Sequence, residues 1–523
     1  MKRLCALLLT LILVLPCFAV SSFAESGLDK DGVTNATGYP ITKEVITLDA
    51  VWSYSSAQDF TQMTNIYDWI EEQTNIRINL ITYTESDQIA LMFASGDYPD
   101  FAIRIGASDL QRANAVDAGD LVPLDNLIAE YAPTWKAFLE SDQAALSNAM
   151  TLIDGERFTL PWVNFAAYDR QLRDLQVIYK PWLEEVGMEM PTTITELTEY
   201  LRALKAAAGT GTIPKNVMPL YIRFGSWVGG EYNILSQFGV YCSTSNYLIV
   251  EDGAVKYQAI NPAIKEPLKW LQQMYAEGIL PAECFTDDWS TYLTRRQSDP
   301  VQCGIHMSYG MYVDGMTCLP PVNPENGAEG KLCSQSNVPN GPHCFYMFSN
   351  NEYPVATMRL MEFFVENVEN MTNICIGLEG EMWEYTEDGK RSQIKAMYTE
   401  ESKPISGFWN NVAGILADDF YADWDNNELT DGGLRAIEFN TKLVGKTVPQ
   451  ELNFVGGTLD ADSDALRSQY GTDIENCRTS TFARWITTDA DIDAEWDAFV
   501  KEIQGYNLAD WLALNQQAYD LLH

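Results

Sequence analysis

The stretch of residues 178–205, IYKPWLEEVGMEMPTTITELTEYLRALK, predicts the end of a strand followed by two helices that a proline-containing turn joins. Pro181 stands in a first helical turn, which needs no amide donor, and Gly187 suits the left-handed residue that ends a helix. Thr193 and Glu196 have the spacing of a capping box at the start of the second helix. That helix carries an apolar stripe at helical spacing, formed by Ile194, Leu197, Leu201 and Leu204.

The same alternation of strand and helix begins near residue 45. Residues 45–51 form a strand candidate, and the apolar residues of 76–80 alternate as a second strand. An apolar stripe at helical spacing lies between them and consists of Phe60, Met63, Ile66, Tyr67 and Ile70. This order predicts an α/β fold with helices on both faces of its sheets, in which ligands collect beyond the carboxyl ends of the strands.

Six segments resemble, in the same order along the chain, those of bacterial extracellular solute-binding proteins of ABC importers. The resemblance is to family 1, in its large lipoprotein-like branch, which binds sugars and oligosaccharides. The segments are FASGDYPDFAI (93–103), GDLVPLDNLI (119–128), DGERFTLPW (154–162), the opening stretch, GLEGEMWEYTEDGK (377–390) and the C-terminal residues 491–520. The resemblance implies the two-lobed periplasmic-binding-protein-like fold (type II), in which each lobe is a sheet flanked by helices and a ligand cleft separates the lobes.

The resemblance also implies how the chain is divided. We expect a signal peptide at residues 1–24, a polar linker at 25–42, a first lobe from 43–162 plus about 335–415, and a second lobe from 163–334 plus about 416–523. The chain would cross between lobes near TLPWVN (159–164) and LPPVNPENG (319–327), and once more before the last helices. The Pro, Asn and Gly of the second crossing are typical of a connector.

Length and composition agree with this division. A chain of 523 residues is too long for one ordinary core, and 46% hydrophobic with 20% charged residues is a globular composition. The 34 basic and 73 acidic residues give a formal net charge of −39. Such an excess disfavours binding to nucleic-acid phosphates or to an anionic membrane surface. We therefore expect no nucleic-acid partner, and we expect a monomer.

The first 24 residues have the pattern of an export signal. A basic start precedes an apolar run over residues 6–15, and small residues end the segment at Ala24. Cys17 stands where a lipoprotein leader would place its modified cysteine, although Pro16 occupies a position that normally carries Gly, Ala or Ser. Lipidation at Cys17 and cleavage after Ala24 both stay open. We expect an exported protein that is extracellular, periplasmic or held at the cell surface by lipid.

Cysteines and histidines indicate no metal site. Export permits disulfides, but the eight of the ten cysteines that lie beyond residue 24 allow 105 pairings, and free buried thiols are equally compatible with the sequence. These cysteines are Cys242, Cys284, Cys303, Cys318, Cys333, Cys344, Cys375 and Cys477. The segment 423–433 places oxygen ligands as a calcium loop does, but Glu428 stands where the sharp turn needs Gly, so we interpret it as a solvated loop. We expect no cofactor, and a structural calcium stays open.

A sugar site needs aromatic side chains against the apolar faces of the rings and polar side chains for the hydroxyl groups. Several such residues follow strands or lie in segments that the resemblance assigns to the cleft. These candidates are Trp52, Tyr54, Trp162, Trp227, Glu231, Tyr309, Tyr312, Glu381, Trp383 and Trp409. Packing is the alternative for each aromatic residue, above all for Trp383, because TEDGK (386–390) predicts a hairpin turn beside it. Four other residues fall on helical stripes and are predicted to be core, namely Trp496, Phe499, Ile503 and Trp511.

The resemblance implies binding without catalysis. The protein would capture a carbohydrate, an oligosaccharide in our interpretation, between its lobes and deliver it to the permease of an ABC importer. A solute of another class, such as a peptide, is the alternative. A secreted carbohydrate-active enzyme is a third hypothesis, but the two carboxyl groups that it needs cannot be singled out by spacing, and no serine-hydrolase or zinc-protease motif occurs.

Overall fold

The computed structural model describes residues 29, 32–54, 60–83, 86–141, 151–153, 155–164, 175–226, 229–242, 247–308, 313–333, 341–395, 397, 399, 401–408, 412–416, 420, 424–426, 443 and 445–523. The predicted leader with Cys17 lies outside these residues, as does most of the segment 423–433. None of the helices in these ranges has the length and hydropathy that a membrane span requires.

The strands and helices are numbered along the chain. The strands are β1 (Ile46–Tyr54), β2 (Ile76–Tyr83), β3 (Phe101–Ile103), β4 (Leu152–Ile153), β5 (Glu156–Arg157), β6 (Thr159–Asn164), β7 (Leu175–Tyr179), β8 (Met218–Tyr221), β9 (Leu248–Glu251), β10 (Ala254–Tyr257), β11 (Cys303–Ser308), β12 (Met316–Cys318), β13 (Gly341–Met347), β14 (Trp383–Tyr385), β15 (Arg391–Gln393), β16 (Gly414–Leu416) and β17 (Trp424–Asn426). The helices are α1 (Thr64–Thr74), α2 (Ser86–Ser95), α3 (Asp109–Asp117), α4 (Asp125–Tyr131), α5 (Pro133–Leu139), α6 (Lys180–Glu185), α7 (Ile194–Ala206), α8 (Tyr232–Gln237), α9 (Lys265–Ala276), α10 (Trp289–Arg296), α11 (Pro354–Val365), α12 (Val368–Ile376), α13 (Ala461–Thr487), α14 (Ile492–Gly505) and α15 (Leu508–Asp520). Short 3₁₀ turns occur at Phe60–Gln62, Gln258–Ile260, Pro262–Ile264, Ala282–Phe285 and Gln450–Leu452.

The first lobe is built on a sheet with the strand order β16-β6-β13-β3-β1-β2 in the described residues. β1 pairs in parallel with β2 and β3, whereas β13 is antiparallel to both β3 and β6. β16 is parallel to β6. Consequently β1, β2, β3, β6 and β16 all point the same way, and their carboxyl ends lie at the sheet edge where β13 begins.

The second lobe is built on a smaller sheet with the order β12-β7-β11-β8. β11 is parallel to β8 and antiparallel to β7, and β12 is antiparallel to β7. The carboxyl ends of β8, β11 and β12 therefore meet at one edge, where β7 begins. The C-terminal helices α13, α14 and α15 pack on this lobe, and the four residues predicted as core there are buried, which confirms that prediction.

The opening stretch 178–205 folds as its pattern predicts, with one change in the capping. Pro181 lies in the first turn of α6, and Gly187 has a left-handed φ of 71°. The hydroxyl of Thr193 accepts a hydrogen bond from the amide of Glu196 at 3.1 Å. The carboxylate of Glu196 accepts from the amide and hydroxyl of Thr192, at 2.8 and 2.7 Å, rather than from Thr193. The predicted stripe of α7 is buried in the second core.

The apolar cores divide the chain into two bodies. One core and its extension on the other face of the sheet belong to the first lobe, and another core belongs to the second. The expected linker 25–42 needs correction, because Val33 and Ile41 are buried in the first core. Phe420 and Trp424 also pack there, beyond the expected change of lobe near 416. The lobe boundaries stay a prediction.

The crossing segments and one helix connect the lobes. The second and third crossings run side by side, because the amide of Leu332 donates to Lys446 at 3.0 Å and Val448 donates back to Leu332 at 2.8 Å. α13 reaches from the second lobe to α3 of the first. There Arg467 Nη2 lies 2.7 Å from Asp109 Oδ2 and 2.6 Å from Asp464 Oδ1 of its own helix.

Candidate ligand-binding site

The sheet topology defines a cleft between the lobes. β6 ends at the carboxyl edge of the first sheet and leads to the start of β7, which lies at the carboxyl edge of the second. β12 ends at the carboxyl edge of the second sheet and leads back to the start of β13 at the carboxyl edge of the first. The crossings therefore join these two edges. Because α/β folds bind ligands beyond the carboxyl ends of their strands, the space between the edges is the candidate site.

A tight loop follows β8 at the edge of the second lobe. The amide of Arg223 donates to the carbonyl of Gly229 at 2.7 Å, and the amide of Ser226 donates to Arg223 at 3.0 Å. Gly225 and Gly229 have φ of 72° and 77°, values that favour glycine. A Cβ atom at Gly229 would also lie 2.7 Å from the ring of Tyr292. The loop is thus shaped by its own hydrogen bonds and by glycine, and it includes the predicted ligand residue Trp227.

The buried carboxylate of Glu231 holds this loop by a hydrogen bond to its backbone. Its side chain is 0% exposed, and Oε2 accepts the amide of Gly225 at 2.8 Å. Oε1 accepts the hydroxyl of Tyr247 at 2.5 Å and lies 3.8 Å from Nη1 of Arg478 on α13. The predicted contact of Glu231 with the ligand is corrected, because both carboxylate oxygens are directed into the lobe.

Arg478 completes the buried network. Its Nε donates to Glu475 at 2.7 Å, and its guanidinium lies 4.4 Å from the ring centroid of Tyr247. Tyr257 donates its hydroxyl to Glu475 at 2.6 Å. Burial alone would lower the pKa of Arg478, but the acidic groups and phenols around it raise this pKa above its ordinary value. Arg478 is therefore a permanent cation between two carboxylates, and it joins α13 to the support of the loop.

Trp289 is an aromatic residue at this edge that sequence analysis missed. It begins α10 directly after Asp288, which accepts the amide of Thr291 at 2.8 Å as the helix cap. Its ring is partly exposed and lies 5.6 Å from the guanidinium carbon of Arg223 in the loop after β8. Arg296 lies 5.3 Å from the same ring on its own helix. The arrangement places an aromatic ring against two guanidinium groups, and sugar sites combine aromatic with polar side chains.

At the edge of the first lobe, Trp52 belongs to the core. It is 1% exposed, and its ring stacks on Phe408 with centroids 4.0 Å apart and planes at 16°. β1 continues to Tyr54, so Trp52 is still a strand residue and its side chain points to the face that helices cover. Its expected role as a ligand plate is therefore corrected to packing. The stacking of the two rings fixes the position of Phe408, which directly precedes Trp409 in the sequence.

A polar residue at the same edge is Arg104, which directly follows β3. Its φ of 51° is unusual for a residue other than glycine, and its amide donates to Cys344 on β13 at 2.6 Å. The side chain is partly exposed. A guanidinium therefore lies at a carboxyl edge of the sheet, where it can donate hydrogen bonds to hydroxyl groups.

Trp162 and Trp383 are buried and pack in the first lobe, whereas Glu381 is partly exposed and its ligand role stays a prediction. Trp162 is buried on β6, and a Cβ atom at Gly414 of the neighbouring strand would lie 3.1 Å from its ring. Trp383 is buried on the predicted hairpin, which β14 and β15 form, and its indole nitrogen donates to Asn373 at 3.1 Å. Glu381 accepts a hydrogen bond from Asn65 on α1 at 2.7 Å, so it ties the hairpin segment to that helix.

The remaining candidates lie outside the described residues, and their roles stay predictions. Trp227 belongs to the loop after β8, Tyr309 and Tyr312 follow β11, and Trp409 follows Phe408. The backbone of Tyr54 ends β1, whereas its side chain lies outside the description.

Cysteine and metal chemistry can be assessed for the described ranges. All eight cysteines are free and buried. The described residues contain no group of three or more His, Cys, Asp or Glu side chains that could hold a metal ion.

Comparisons with known proteins agree with this architecture. Residues 57–294 match the family model of the bacterial extracellular solute-binding proteins. The fructooligosaccharide ABC transporter substrate-binding protein FusA of Streptococcus pneumoniae serotype 4 is 23% identical over 504 residues, which cover 86% of each chain. The structure of FusA in complex with kestose has a TM-score of 0.79 at 21% identity, and the match covers 91% of this chain and 99% of that one.

A second solved structure is that of an HMO-binding ABC-transporter-associated solute-binding protein from Bifidobacterium longum infantis. It has a TM-score of 0.75 at 18% identity, and the match covers 92% of this chain and 99% of that one. These structures confirm the predicted two-lobed fold. The chain is therefore similar to the bacterial extracellular solute-binding proteins in its fold and, over residues 57–294, in its sequence.

Proposed function

We propose that this protein is the substrate-binding component of an ABC importer and that it captures an oligosaccharide between its two lobes. The observation that carries the proposal is its similarity to FusA over 86% of both chains, since that relative is named for fructooligosaccharide binding. The structure of FusA in complex with kestose has the same fold, and the HMO-binding protein is one further relative named for sugar binding.

The described residues supply both kinds of group that a sugar site needs. Trp289 offers a ring face to the apolar C–H surface of a sugar, and Arg223 and Arg104 offer guanidinium donors to its hydroxyl groups. These residues lie at the two edges that the crossings join. The sequence candidates Tyr54, Trp227, Tyr309, Tyr312 and Trp409 are proposed to complete the site.

Binding is proposed to act through closure of the lobes. A ligand that contacts both edges binds the closed form better than the open form, so it shifts the population toward closure. The closed protein then docks on the membrane permease of the importer and releases the sugar there. No bond of the sugar is broken in this mechanism, and the protein acts as an exported monomer. Attachment to the membrane through a lipid on Cys17 remains part of this proposal.

A thermal-shift screen of residues 25–523 tests the substrate class. The panel holds kestose and longer fructooligosaccharides, milk and N-glycan oligosaccharides, and short peptides as a separate class. A ligand at one hundred times its Kd stabilises the native state by about 2.7 kcal/mol, which raises Tm by roughly 5 to 10 °C in lobes of this size. A selective rise with one glycan class, followed by a matching calorimetric Kd, is the expected result.

Two outcomes would contradict the proposal. A rise with peptides and with none of the glycans would keep the fold and overturn the substrate class. Shortened products in a sample of the bound glycan, measured by chromatography after incubation with a trace amount of protein, would overturn binding without catalysis. A Trp289→Ala variant screened in parallel links any glycan effect to the proposed site.

A further inference from the structure

Two of the eight cysteines beyond residue 24 lie close together in the second lobe. Cys242 and Cys333 are each 1% exposed. Sγ of Cys333 also lies 3.5 Å from the carbonyl oxygen of Cys242 and 2.9 Å from Oγ of Ser236. The two side chains therefore share one small site in the second lobe.

Other cysteines direct their sulfur atoms elsewhere. Sγ of Cys303 contacts the carbonyl of Arg295 at 3.6 Å, and Sγ of Cys344 contacts the carbonyl of Val412 at 3.2 Å. Cys375 lies with its sulfur 3.4 Å from that of Met371. In the described residues these three sulfur atoms have contact partners other than cysteine, while burial and then the neighbouring Cys284 raise the pKa of the Cys303 thiol.

The pair stands where the chain leaves the second lobe. Cys333 ends the described part of the second crossing, and its amide donates to Asn233 of α8 at 2.7 Å. Gln237 on the same helix accepts the amide of Val322 at 2.9 Å, near the start of that crossing. Cys242 lies just beyond α8. A covalent bond between the two cysteines would therefore add to a set of contacts by which α8 holds the crossing segment.

We propose that Cys242 and Cys333 form a disulfide in the oxidised, exported protein and that this bond fastens the second crossing segment to the second lobe. The oxidant is a disulfide carrier, either a thiol–disulfide oxidoreductase outside the cytoplasm or a small disulfide such as oxidised glutathione. One cysteine thiolate attacks the carrier, forms a mixed disulfide and releases one carrier thiol. The other cysteine then attacks the mixed disulfide, which forms the Cys242–Cys333 bond and releases the second carrier thiol. The two cysteines lose two electrons and two protons in total, and the carrier gains them.

The bond forms during folding, before the site closes. Burial raises the pKa of the Cys242 thiol far above its ordinary value, so the folded site holds almost no thiolate to attack a carrier at neutral pH. Once formed, the disulfide is shielded from reducing agents by the same burial. The inference depends on export to an oxidising compartment and not on the identity of the bound sugar.

The test begins with residues 25–523 reduced and unfolded, then refolded in a buffer of reduced and oxidised glutathione. Free thiols are blocked with iodoacetamide under denaturing conditions, and the protein is digested without reduction for mass spectrometry. We expect six blocked cysteines instead of eight and one cross-linked peptide pair that contains Cys242 and Cys333. Eight blocked cysteines, or cross-links between other pairs, would overturn the proposal.

Matched variants separate the bond from general thiol oxidation. Cys242→Ser and Cys333→Ser are expected to keep all seven remaining thiols, whereas Cys344→Ser, which removes a thiol outside the pair, should keep five of its seven. The oxidised wild type should also unfold several degrees above its dithiothreitol-treated form, and Cys242→Ser should show no such difference. Equal melting temperatures of the oxidised and reduced wild type would refute the fastening role even if the bond forms.

Discussion

The buried network around Arg478 allows a test of how the second lobe supports the loop that follows β8. Replacing Arg478 with Met removes a guanidinium whose side chain is 4% exposed and leaves the fully buried carboxylate of Glu231 without its cation. Removing one partner of a buried ion pair typically destabilises a protein by about 3 to 5 kcal/mol. In a domain of 150 to 250 residues, 1 kcal/mol corresponds to about 2 to 4 °C in Tm, so the transition of the second lobe should fall by roughly 6 to 20 °C.

The same helix offers a matched control. Arg484 also pairs with a glutamate, Glu495, but their side chains are 50% and 38% exposed. Exposed pairs contribute less than about 1 kcal/mol, so Arg484→Met should lower Tm by less than roughly 4 °C. Differential scanning calorimetry of both variants measures the contrast.

A double variant tests the cause of the loss. Glu231→Gln with Arg478→Met removes both buried charges, so it should recover part of the stability that Arg478→Met loses. The reasoning is refuted if Arg478→Met unfolds at the same temperature as Arg484→Met, or if the second substitution adds its full effect to the first. Glycan affinity of the two single variants, measured below their melting temperatures, shows whether the network also sets the shape of the loop.

Three further predictions concern the site, the response to acid and the crossing segment. Trp289→Ala should weaken glycan binding by about 1 to 3 kcal/mol, or roughly 5- to 150-fold in Kd, because an aromatic contact is lost; an unchanged Kd by isothermal titration calorimetry would exclude this residue from the site. Burial, and then the charge of Arg296, lower the pKa of His306 from 6.5 to about 3, so the unfolded state binds the proton more readily and stability falls as pH drops below 6.5. This group should make the protein about 2 kcal/mol less stable at pH 5 than at pH 7.5, and His306→Gln should flatten that part of the pH profile in urea titrations. A Cβ atom at Gly330 would overlap the carbonyl oxygen of Val322 in the second crossing, whereas one at Gly505 meets nothing within 4 Å. Gly330→Ala should therefore lose about 1 to 3 kcal/mol in urea unfolding and Gly505→Ala much less, and equal effects would contradict a tightly packed crossing.

Local patterns in the sequence predicted most of the fold because they act over a few residues. The strand and helices of 178–205, the hairpin beside Trp383 and the C-terminal core helices all follow from caps, turns and periodicity. The capping of α7 differs from the prediction in one hydrogen bond. The amide that donates to Glu196 is that of Thr192 and not that of Thr193. Local signals therefore predicted the elements but not each hydrogen bond.

The errors at the candidate site come from contacts between distant segments. Trp52 was expected in a loop, but β1 continues because β2 pairs with it up to Tyr83. The local sequence predicts an exposed carboxylate at Glu231. Packing of α13 instead places Arg478 beside it. Trp289 follows a 3₁₀ turn rather than a strand, and only the packing of α10 brings it to the loop that contains Arg223. Strand pairing and helix packing, which no local pattern encodes, decide these positions.

The long helix α13 packs in the second lobe and also contacts the first lobe. Its 27 residues span about 40 Å, and Arg467 near its beginning meets Asp109 of the first lobe while Arg478 anchors its middle in the second. When the lobes swing apart, Arg467 leaves Asp109 but keeps Asp464 on its own helix, so no buried charge loses its last partner. The side chain of Asp109 is 46% exposed. Water can therefore replace its lost contact, at a free-energy cost below about 1 kcal/mol. This ion pair would therefore resist separation of the lobes only weakly, which agrees with the proposal that the bound ligand drives closure.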